Sequence, residues 1–316
     1  MSVLHAPAAA LAWLGRQGTR AIAALVFIGI ALPPIGAVLK PFVTEAIFAL
    51  LCIAFMRVDV AALRGHLVRP GLVLAATAWT MLVVPLLFGV ICRAIGLETR
   101  FPDLFLGLML QAVASPIMAA PAFAALMGLD ATLALITLVA SSALTPFTAP
   151  LFVHAFLGPA LMLSPLALGA KLFAILTGSA LVGIAVRRIA GAAAVERHRD
   201  AIDGVNVVVL FVFVAAVMEN VAARFYAAPV VVLGLGVLAF VVSFAVLGLT
   251  AVVFTKAGRQ RALVLGLVAS QRNMGLMLAA TSGALPDLVW VYVGLCQFPI
   301  YLAPQLLKPL GRQPRT

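Results

Sequence analysis

The residues best suited to chemistry form one short polar stretch inside an apolar segment. Ser270, Gln271, Arg272 and Asn273 follow one another within the apolar run 262–282. Arg272 lies about 11 residues from one end of that run. At a rise of about 1.5 Å per residue this corresponds to roughly 16 Å, near the middle of a lipid bilayer. A guanidinium flanked by hydrogen-bonding side chains at that depth is suited to binding an anion.

Arg272 has two interpretations. A cation near the centre of a membrane is costly, so such residues face the protein interior or water. In the functional interpretation, which we favour as a hypothesis, Arg272 holds an anionic solute. In the structural one, neighbouring carbonyl groups or an acid such as Glu45 or Glu219 satisfy its charge.

A second interruption lies in the apolar run 104–127, which contains the stretch QAVASPIMAAPAFAAL. Pro116 and Pro121 each remove a backbone donor and clash with the preceding helical turn. Backbone groups freed in this way cannot face lipid, so they line a polar cavity or meet each other. The predicted binding residues, taken from both interruptions and the following run, are Ser115, Pro116, Pro121, Thr137, Ser141, Ser270, Gln271, Arg272 and Asn273.

Composition predicts that these residues belong to a membrane protein. Of the 316 residues, 65% are hydrophobic and only 10% are charged, whereas a soluble domain carries about 25% charged residues. The net charge of +11 does not indicate nucleic-acid binding, because the basic residues lie in the short gaps between apolar runs. We therefore predict an all-α polytopic protein with about ten transmembrane helices. They are expected at 21–39, 42–56, 71–92, 104–127, 131–153, 165–186, 204–222, 228–255, 262–282 and 288–307, here called runs 1 to 10.

The basic residues predict the orientation of the helices. If the N-terminus is cytoplasmic, fifteen Lys and Arg residues fall in cytoplasmic segments and four on the opposite side. Cytoplasmic loops carry such an excess. The expected location is the inner membrane of a bacterium, with both termini in the cytoplasm.

The runs also predict two repeats of five helices. Residues 1–20 are expected to be a cytoplasmic tail, 21–153 and 165–307 the two repeats, and 308–316 a second cytoplasmic tail. An odd number of helices per repeat inverts the second copy in the membrane, as in many secondary carriers. The interruptions fall in the fourth run of each half, and paired interruptions of this kind indicate a carrier's binding site. We expect helices 4 and 9 to be broken and to cross at the midplane.

The stretches ASPIMAAPAFAALMGLD, LITLVASSALTPFTAP and VASQRNMGLMLA resemble helices 4, 5 and 9 of the bile acid:sodium symporter family. The resemblance covers roughly 21–308 and depends on layout more than on identical residues. It implies two inverted five-helix repeats, with helices 4 and 9 crossing in a core domain beside a panel of helices 1, 2, 6 and 7. It also implies alternating access and organic-anion substrates.

The chain departs from that family at the residues that bind sodium there. The family's glutamate aligns with Val268, its helix 9 glutamine with Arg272 and its helix 3 glutamine with Thr80, while Asn273 matches. The family's Ser-Asn pair falls near Pro121 and Ala122. We therefore expect the guanidinium of Arg272 to stand where the family binds a cation, so that transport does not depend on sodium.

Other functions remain as alternatives. Sodium could bind through main-chain carbonyls and the hydroxyls of Ser270, Thr137 or Ser141. A non-transporting sensor or scaffold on a carrier fold is a further alternative. An intramembrane enzyme is not expected, because the apolar runs hold almost no acids and no Ser/His pairing. The dispersed cysteines and histidines predict neither a metal site nor a cofactor. The expected partners are a small organic anion and the lipid bilayer.

Overall fold

The structure, a computed structural model, describes residues 5–17, 28–29, 31–57, 70–158 and 163–311. Within these ranges the chain is helical, with no strand and a single isolated β-bridge between Pro116 and Arg272. An all-α fold is the expected result for a chain that must satisfy its backbone hydrogen bonds within lipid.

Several predicted elements lie partly outside the described residues. The predicted tail 1–20 contains a helix over His5–Gln17. Residues 21–27 and 30 of run 1, and residues 312–316 of the predicted C-terminal tail, are outside the described part.

The α-helices, numbered in chain order, are α1 His5–Gln17, α2 Pro33–Leu39, α3 Val43–Arg57, α4 Pro70–Ala78, α5 Val84–Ala94, α6 Leu97–Arg100, α7 Pro102–Val113, α8 Ala120–Leu126, α9 Ala131–Phe156, α10 Pro165–Ala190, α11 Ala192–Arg197, α12 Arg199–Ala227, α13 Pro229–Val253, α14 Arg259–Ser270, α15 Met274–Ala280 and α16 Asp287–Gly311. Short 3₁₀ turns occupy Lys40–Phe42 and Thr255–Ala257, and a π-helical segment occupies Trp79–Val83 between α4 and α5.

Helices long and apolar enough to cross a bilayer confirm the prediction of a multi-pass membrane protein. Six such helices occur among the described residues. They are Pro34–Arg57, Pro70–Ala94, Ala131–Phe156, Pro165–Ala190, Arg199–Ala227 and Pro229–Val253. Runs 4 and 9 are absent from this set because each is divided into two shorter helices, α7 with α8 and α14 with α15.

The predicted boundary between runs 1 and 2 does not end a helix. Helical structure continues from Pro34 to Arg57 through the 3₁₀ turn at Lys40–Phe42. Pro41 is accommodated because it stands near the start of that turn, where its missing N–H is not needed. Lys40 is accommodated because its ammonium group contacts Asn220 and Glu219 of α12.

The chain divides into two compact units, and each takes residues from both predicted repeats. Unit 1 comprises the described residues within 1–58, 174–232 and 278–283, and unit 2 comprises those within 59–173, 233–277 and 284–316.

Helix α12 is the centre of unit 1, and helices α1, α2 and α3 pack against it. Gly204 permits the close approach of α1, because a Cβ atom at this position would clash with the backbone of α1. Asp200, in the first turn of α12, forms an ion pair with Arg16 of α1, and Asp203, at the start of the second turn, forms one with Arg57 of α3. Acidic residues are favourable at that end of a helix.

Unit 2 contains the interrupted helices and holds them in a tightly packed core. Helix α9 packs against α8 and α14, and Ala124, Ala134 and Val268 are almost completely buried in this core. Tyr292 of α16 donates a hydrogen bond to Gln111 of α7, with 2.6 Å between the two oxygens. Both side chains are buried. The helix that precedes the first interruption is therefore fixed by a specific polar contact as well as by packing.

Candidate functional site

The first interruption separates α7 from α8 and is caused by Pro116. A residue that precedes proline is disfavoured in the helical conformation, and a proline within a helix removes a backbone donor. The chain accordingly leaves the helix after Val113, and Ala114 is extended, with ψ of 149°. Pro121 has a different role from Pro116. It lies in the first turn of α8, where its fixed φ favours a helix start.

The second interruption separates α14 from α15 and contains no proline. Helix α14 ends at Ser270, and Gln271 is extended, with φ of −89° and ψ of 98°. The Asn273 side chain then starts the next helix. Its Oδ1 accepts a hydrogen bond from the Leu276 N–H at 3.0 Å, which satisfies one of the unpaired donors at a helix N-terminus.

The structure brings the two interruptions together through their backbones. The N–H of Ile117 donates to the carbonyl of Gln271 at 2.7 Å, and the N–H of Asn273 donates to the carbonyl of Ser115 at 2.8 Å. These two hydrogen bonds form an antiparallel bridge centred on Pro116 and Arg272. Each interruption thus gives the other one donor and one acceptor.

Carbonyl groups satisfy the Arg272 side chain. Arg272 is only 3% exposed. Its Nη1 donates to the carbonyl of Ala114 at 2.9 Å, and its Nη2 donates to the carbonyl of Thr80 at 3.0 Å. Within the described residues no acid forms an ion pair with Arg272, and Glu219 is paired with Lys40 instead. Its positive charge is therefore hydrogen-bonded but not neutralised by a carboxylate.

The carbonyl of Thr80 is available because α4 and α5 are joined by the π-helical segment Trp79–Val83. In an α-helix this carbonyl would accept from the N–H of Val84. Here the N–H of Val84 donates to the carbonyl of Trp79 instead. The next residue, Pro85, has no N–H to offer. The sequence reasoning did not find this third irregular segment, although Pro85 inside run 3 was the signal.

Ser270 and Gln271, the two residues before Arg272 in the sequence, have buried side chains. Gln271 Nε2 donates to Ser243 Oγ at 3.3 Å and to Ser270 Oγ at 3.1 Å. The Ser270 hydroxyl in turn donates to the carbonyl of Leu267 at 3.1 Å. Gln271 Oε1 is buried and accepts no hydrogen bond from the described residues. Ser270 and Gln271 are thus hydrogen-bonded to each other, and the Oε1 atom of Gln271 remains an unpaired acceptor among the described residues.

Thr137 and Ser141 lie one helical turn apart on α9, which packs against α4 and α14. Both are fully buried, and within the described part of the chain neither hydroxyl has a hydrogen-bond partner. The same is true of Thr77 on α4 and Ser142 on α9. Within the described residues no hydrogen bond joins the hydroxyl of Thr137 or Ser141 to either interruption. The structure thus brings Arg272 together with Ser115 and Pro116 but leaves these hydroxyls as a separate polar group. Buried hydroxyls without partners are unusual, because buried polar groups are normally hydrogen-bonded.

The electrostatics of the paired interruptions follow from the ends of their helices. Helices α7 and α14 both end here, and the C-terminal end of a helix carries a partial negative charge of about half an elementary charge. Arg272 supplies the opposite charge at the carbonyl end of α7. Among the described residues there is no group of three or more His, Cys, Asp or Glu side chains that could hold a metal ion.

Comparison with known proteins assigns no family to this chain. No protein-family model and no curated protein matches the sequence.

Proposed function

We propose that this protein is a secondary transporter that moves a small organic anion across the inner membrane of a bacterium by alternating access, without coupling to sodium. The proposal includes the fold of the bile acid:sodium symporter family, with ten helices in two inverted repeats and both termini in the cytoplasm. The observation that carries it is the guanidinium of Arg272, which bonds the carbonyl groups of two separate irregular segments.

The pairing of the interruptions supports the crossing of helices 4 and 9. Interrupted helices in corresponding positions of two inverted repeats form the binding site of many carriers. The backbone bonds from Ile117 to Gln271 and from Asn273 to Ser115 bring the fourth run of each predicted half together. Because any antiparallel bridge has this reciprocal bonding, the support lies in which two runs are joined.

The division of the chain into two units also supports the proposal. Unit 1 takes runs 1, 2 and 7 and most of run 6, together with a few residues of runs 8 and 9. Runs 1, 2, 6 and 7 are the helices that the resemblance assigns to a panel. Unit 2 contains both interruptions, as expected for a core domain. This grouping does not follow from sequence order, because it combines pieces from both halves of the chain.

The chemistry of Arg272 supports sodium-independent transport of an anion. A bound cation neutralises the carbonyl groups at interrupted helices of a carrier, and its binding and release couple the solute to an ion gradient. A guanidinium attached to the chain also neutralises these carbonyl groups, but it cannot dissociate and therefore cannot couple the solute to an ion gradient. Because no carboxylate neutralises it within the described residues, the charge also attracts an anion through the low dielectric of its surroundings.

Reconstituted protein tests the proposal. A stabilisation screen of carboxylates and sulfonates in potassium buffer identifies a solute, and its radiolabelled form is then added outside proteoliposomes that contain the protein. We expect uptake that is unchanged when sodium replaces potassium, and we expect Arg272→Gln to abolish it. Arg259→Gln is the matched control, because Arg259 is an exposed arginine at the start of α14, the helix that precedes Arg272. Uptake retained in Arg272→Gln would contradict the proposal.

A sodium-coupled transporter is the second candidate, because buried acceptors stand without partners. The hydroxyls of Thr77, Thr137 and Ser141 and the Oε1 atom of Gln271 are the oxygens concerned, and sodium prefers such ligands. This candidate predicts uptake that requires sodium and falls when Thr137 is replaced by Val. An anion that binds to the protein but is not transported under either condition would instead favour the sensor or scaffold.

A further inference from the structure

A second cationic group lies in unit 1 and includes none of the residues that the proposed function uses. Lys40 Nζ donates to Asn220 Oδ1 at 3.1 Å and lies 3.6 Å from Glu219 Oε2. Glu219 and Asn220 are neighbours on α12, and Lys40 lies in the 3₁₀ turn between α2 and α3. Three hydrogen-bonding side chains, two of them charged, thus meet at one point of unit 1.

This group is incompletely satisfied. Asn220 is 9% exposed, and its Nδ2 atom is buried without a hydrogen-bond partner in the described part of the chain. Because an ammonium group can only donate, the amide must turn its oxygen towards Lys40. Its two N–H donors are therefore directed elsewhere and remain unused. The distance of 3.6 Å between Lys40 and Glu219 is that of an ion pair without a hydrogen bond.

We propose that Lys40 and Asn220 bind the carboxylate group of the transported anion, and that Glu219 occupies the lysine when no anion is bound. One carboxylate oxygen accepts from Lys40 Nζ and the other from Asn220 Nδ2, which fills the unused donor. Glu219 carries the same functional group as the ligand and therefore acts as an internal competitor. The proposal rests on the proposed function, which supplies the anionic solute.

The side chains of this group are partly accessible. The Lys40 side chain is 35% exposed and that of Glu219 is 24% exposed, so the protein does not enclose either one. The two atoms that the ligand would contact or displace, Asn220 Nδ2 and Glu219 Oε2, are themselves shielded from solvent. Binding therefore requires Glu219 to move, a side-chain rotation that is fast on the timescale of transport.

The competition between ligand and Glu219 gives a test in which one variant gains affinity. The purified full-length protein is equilibrated by dialysis with radiolabelled benzoate or pyruvate, both as potassium salts. We expect Glu219→Gln to bind at least one of these probes about tenfold more tightly than the wild type, because the repelling and competing carboxylate is gone. Lys40→Gln should bind about tenfold more weakly, and Asn220→Ala should also bind more weakly.

Asp203→Asn is the matched control, because Asp203 is another acid of α12 in an ion pair with a basic residue of α3. It should leave probe binding unchanged. A gain of affinity cannot arise from misfolding, so Glu219→Gln remains informative even if Lys40→Gln is unstable. The proposal is overturned if Glu219→Gln binds neither probe, or binds them no more tightly than the wild type.

The same binding assay separates this proposal from the proposed function. Arg272→Gln should lose uptake but retain probe binding that depends on Lys40. If uptake depends on Arg272 but probe binding is unchanged in Glu219→Gln, only the site at Lys40 is overturned. Binding controlled by Lys40 and Glu219, without any Arg272-dependent uptake, would support this site and overturn the transport proposal.

Discussion

The two interruptions of unit 2 bond each other through their backbones in the same way but differ in length and in side chains. Each places one extended residue after a helix and bonds the other through one N–H and one carbonyl. The interruption at residues 114–119 is caused by a proline, whereas the shorter one at residues 271–273 holds Gln271, Arg272 and Asn273 instead. Their backbone bonds thus match, and their side chains are complementary.

This difference shows how an interrupted helix can be stabilised inside a membrane. A proline removes donors and therefore leaves carbonyl groups in excess. The excess carbonyls at Ala114 and Thr80 both accept from Arg272, on the other interruption. One interruption supplies unpaired acceptors and the other supplies donors, so that few of the freed backbone groups remain without a partner.

The largest expected effect comes from removing those donors. Arg272→Met keeps the apolar stem but leaves the carbonyls of Ala114 and Thr80 unpaired. Each buried unpaired group costs about 1–3 kcal/mol. Part of this loss is offset because a buried charge without a carboxylate partner is itself unfavourable. We expect the free energy of unfolding to fall by about 2 kcal/mol, measured by reversible denaturation in detergent.

Arg259→Met provides the reference for that measurement, since Arg259 is an exposed arginine of α14, the helix that precedes Arg272. Exposed substitutions of this kind change stability by less than about 0.5 kcal/mol. The free energy of unfolding of Arg272→Lys should lie between those of the wild type and Arg272→Met. The guanidinium fork bonds both carbonyls, whereas an ammonium group in its place more easily reaches only one of them. A stability of Arg272→Met equal to that of the wild type would mean that the guanidinium does not offset the acceptors of the first interruption.

The sequence predicted those features of the fold that depend on composition and on single disruptive residues. The apolar runs predicted membrane-spanning helices, because only a helix satisfies its own backbone in lipid. Pro116 and the polar residues around Arg272 predicted the two interruptions, because each conflicts with an apolar helix. The structure interrupts both helices at those positions.

The remaining features could not be predicted because they depend on partners distant in sequence. Lys40 interrupts an apolar pattern, which predicts a helix end, but its contacts with α12 allow the helix to continue. The π-helical segment before Pro85 has the same composition as an ordinary helix. That Arg272 bonds carbonyls in preference to Glu45 or Glu219 is likewise decided by packing and not by sequence pattern.

Replacing Pro85 tests whether the π-helical segment is what makes the Thr80 carbonyl available to Arg272. Pro85→Ala restores a backbone N–H, which allows the helix to return to ordinary α geometry and the Val84 N–H to take the Thr80 carbonyl. Arg272 would then lose one of its two acceptors. In a double-mutant cycle with Arg272→Met, we expect the two substitutions to be non-additive by about 1 kcal/mol in the free energy of unfolding. Additive effects would show that the two features are independent.

The smallest expected effect distinguishes two roles for Asn273. The resemblance makes Asn273 part of a binding site, whereas the hydrogen bond that it accepts from the Leu276 N–H makes it the cap of α15. Asn273→Ala should lower the free energy of unfolding by about 1 kcal/mol, the usual cost of removing a cap. Asp130→Ala should cost a similar amount, because Asp130 caps α9 in the same way. Asn273→Ser retains a capping oxygen and should keep most of the stability. Transport by Asn273→Ser therefore distinguishes the two roles. If Asn273 only caps α15, uptake by this variant stays intact. If Asn273 also contacts the solute, uptake is lost although stability is nearly unchanged.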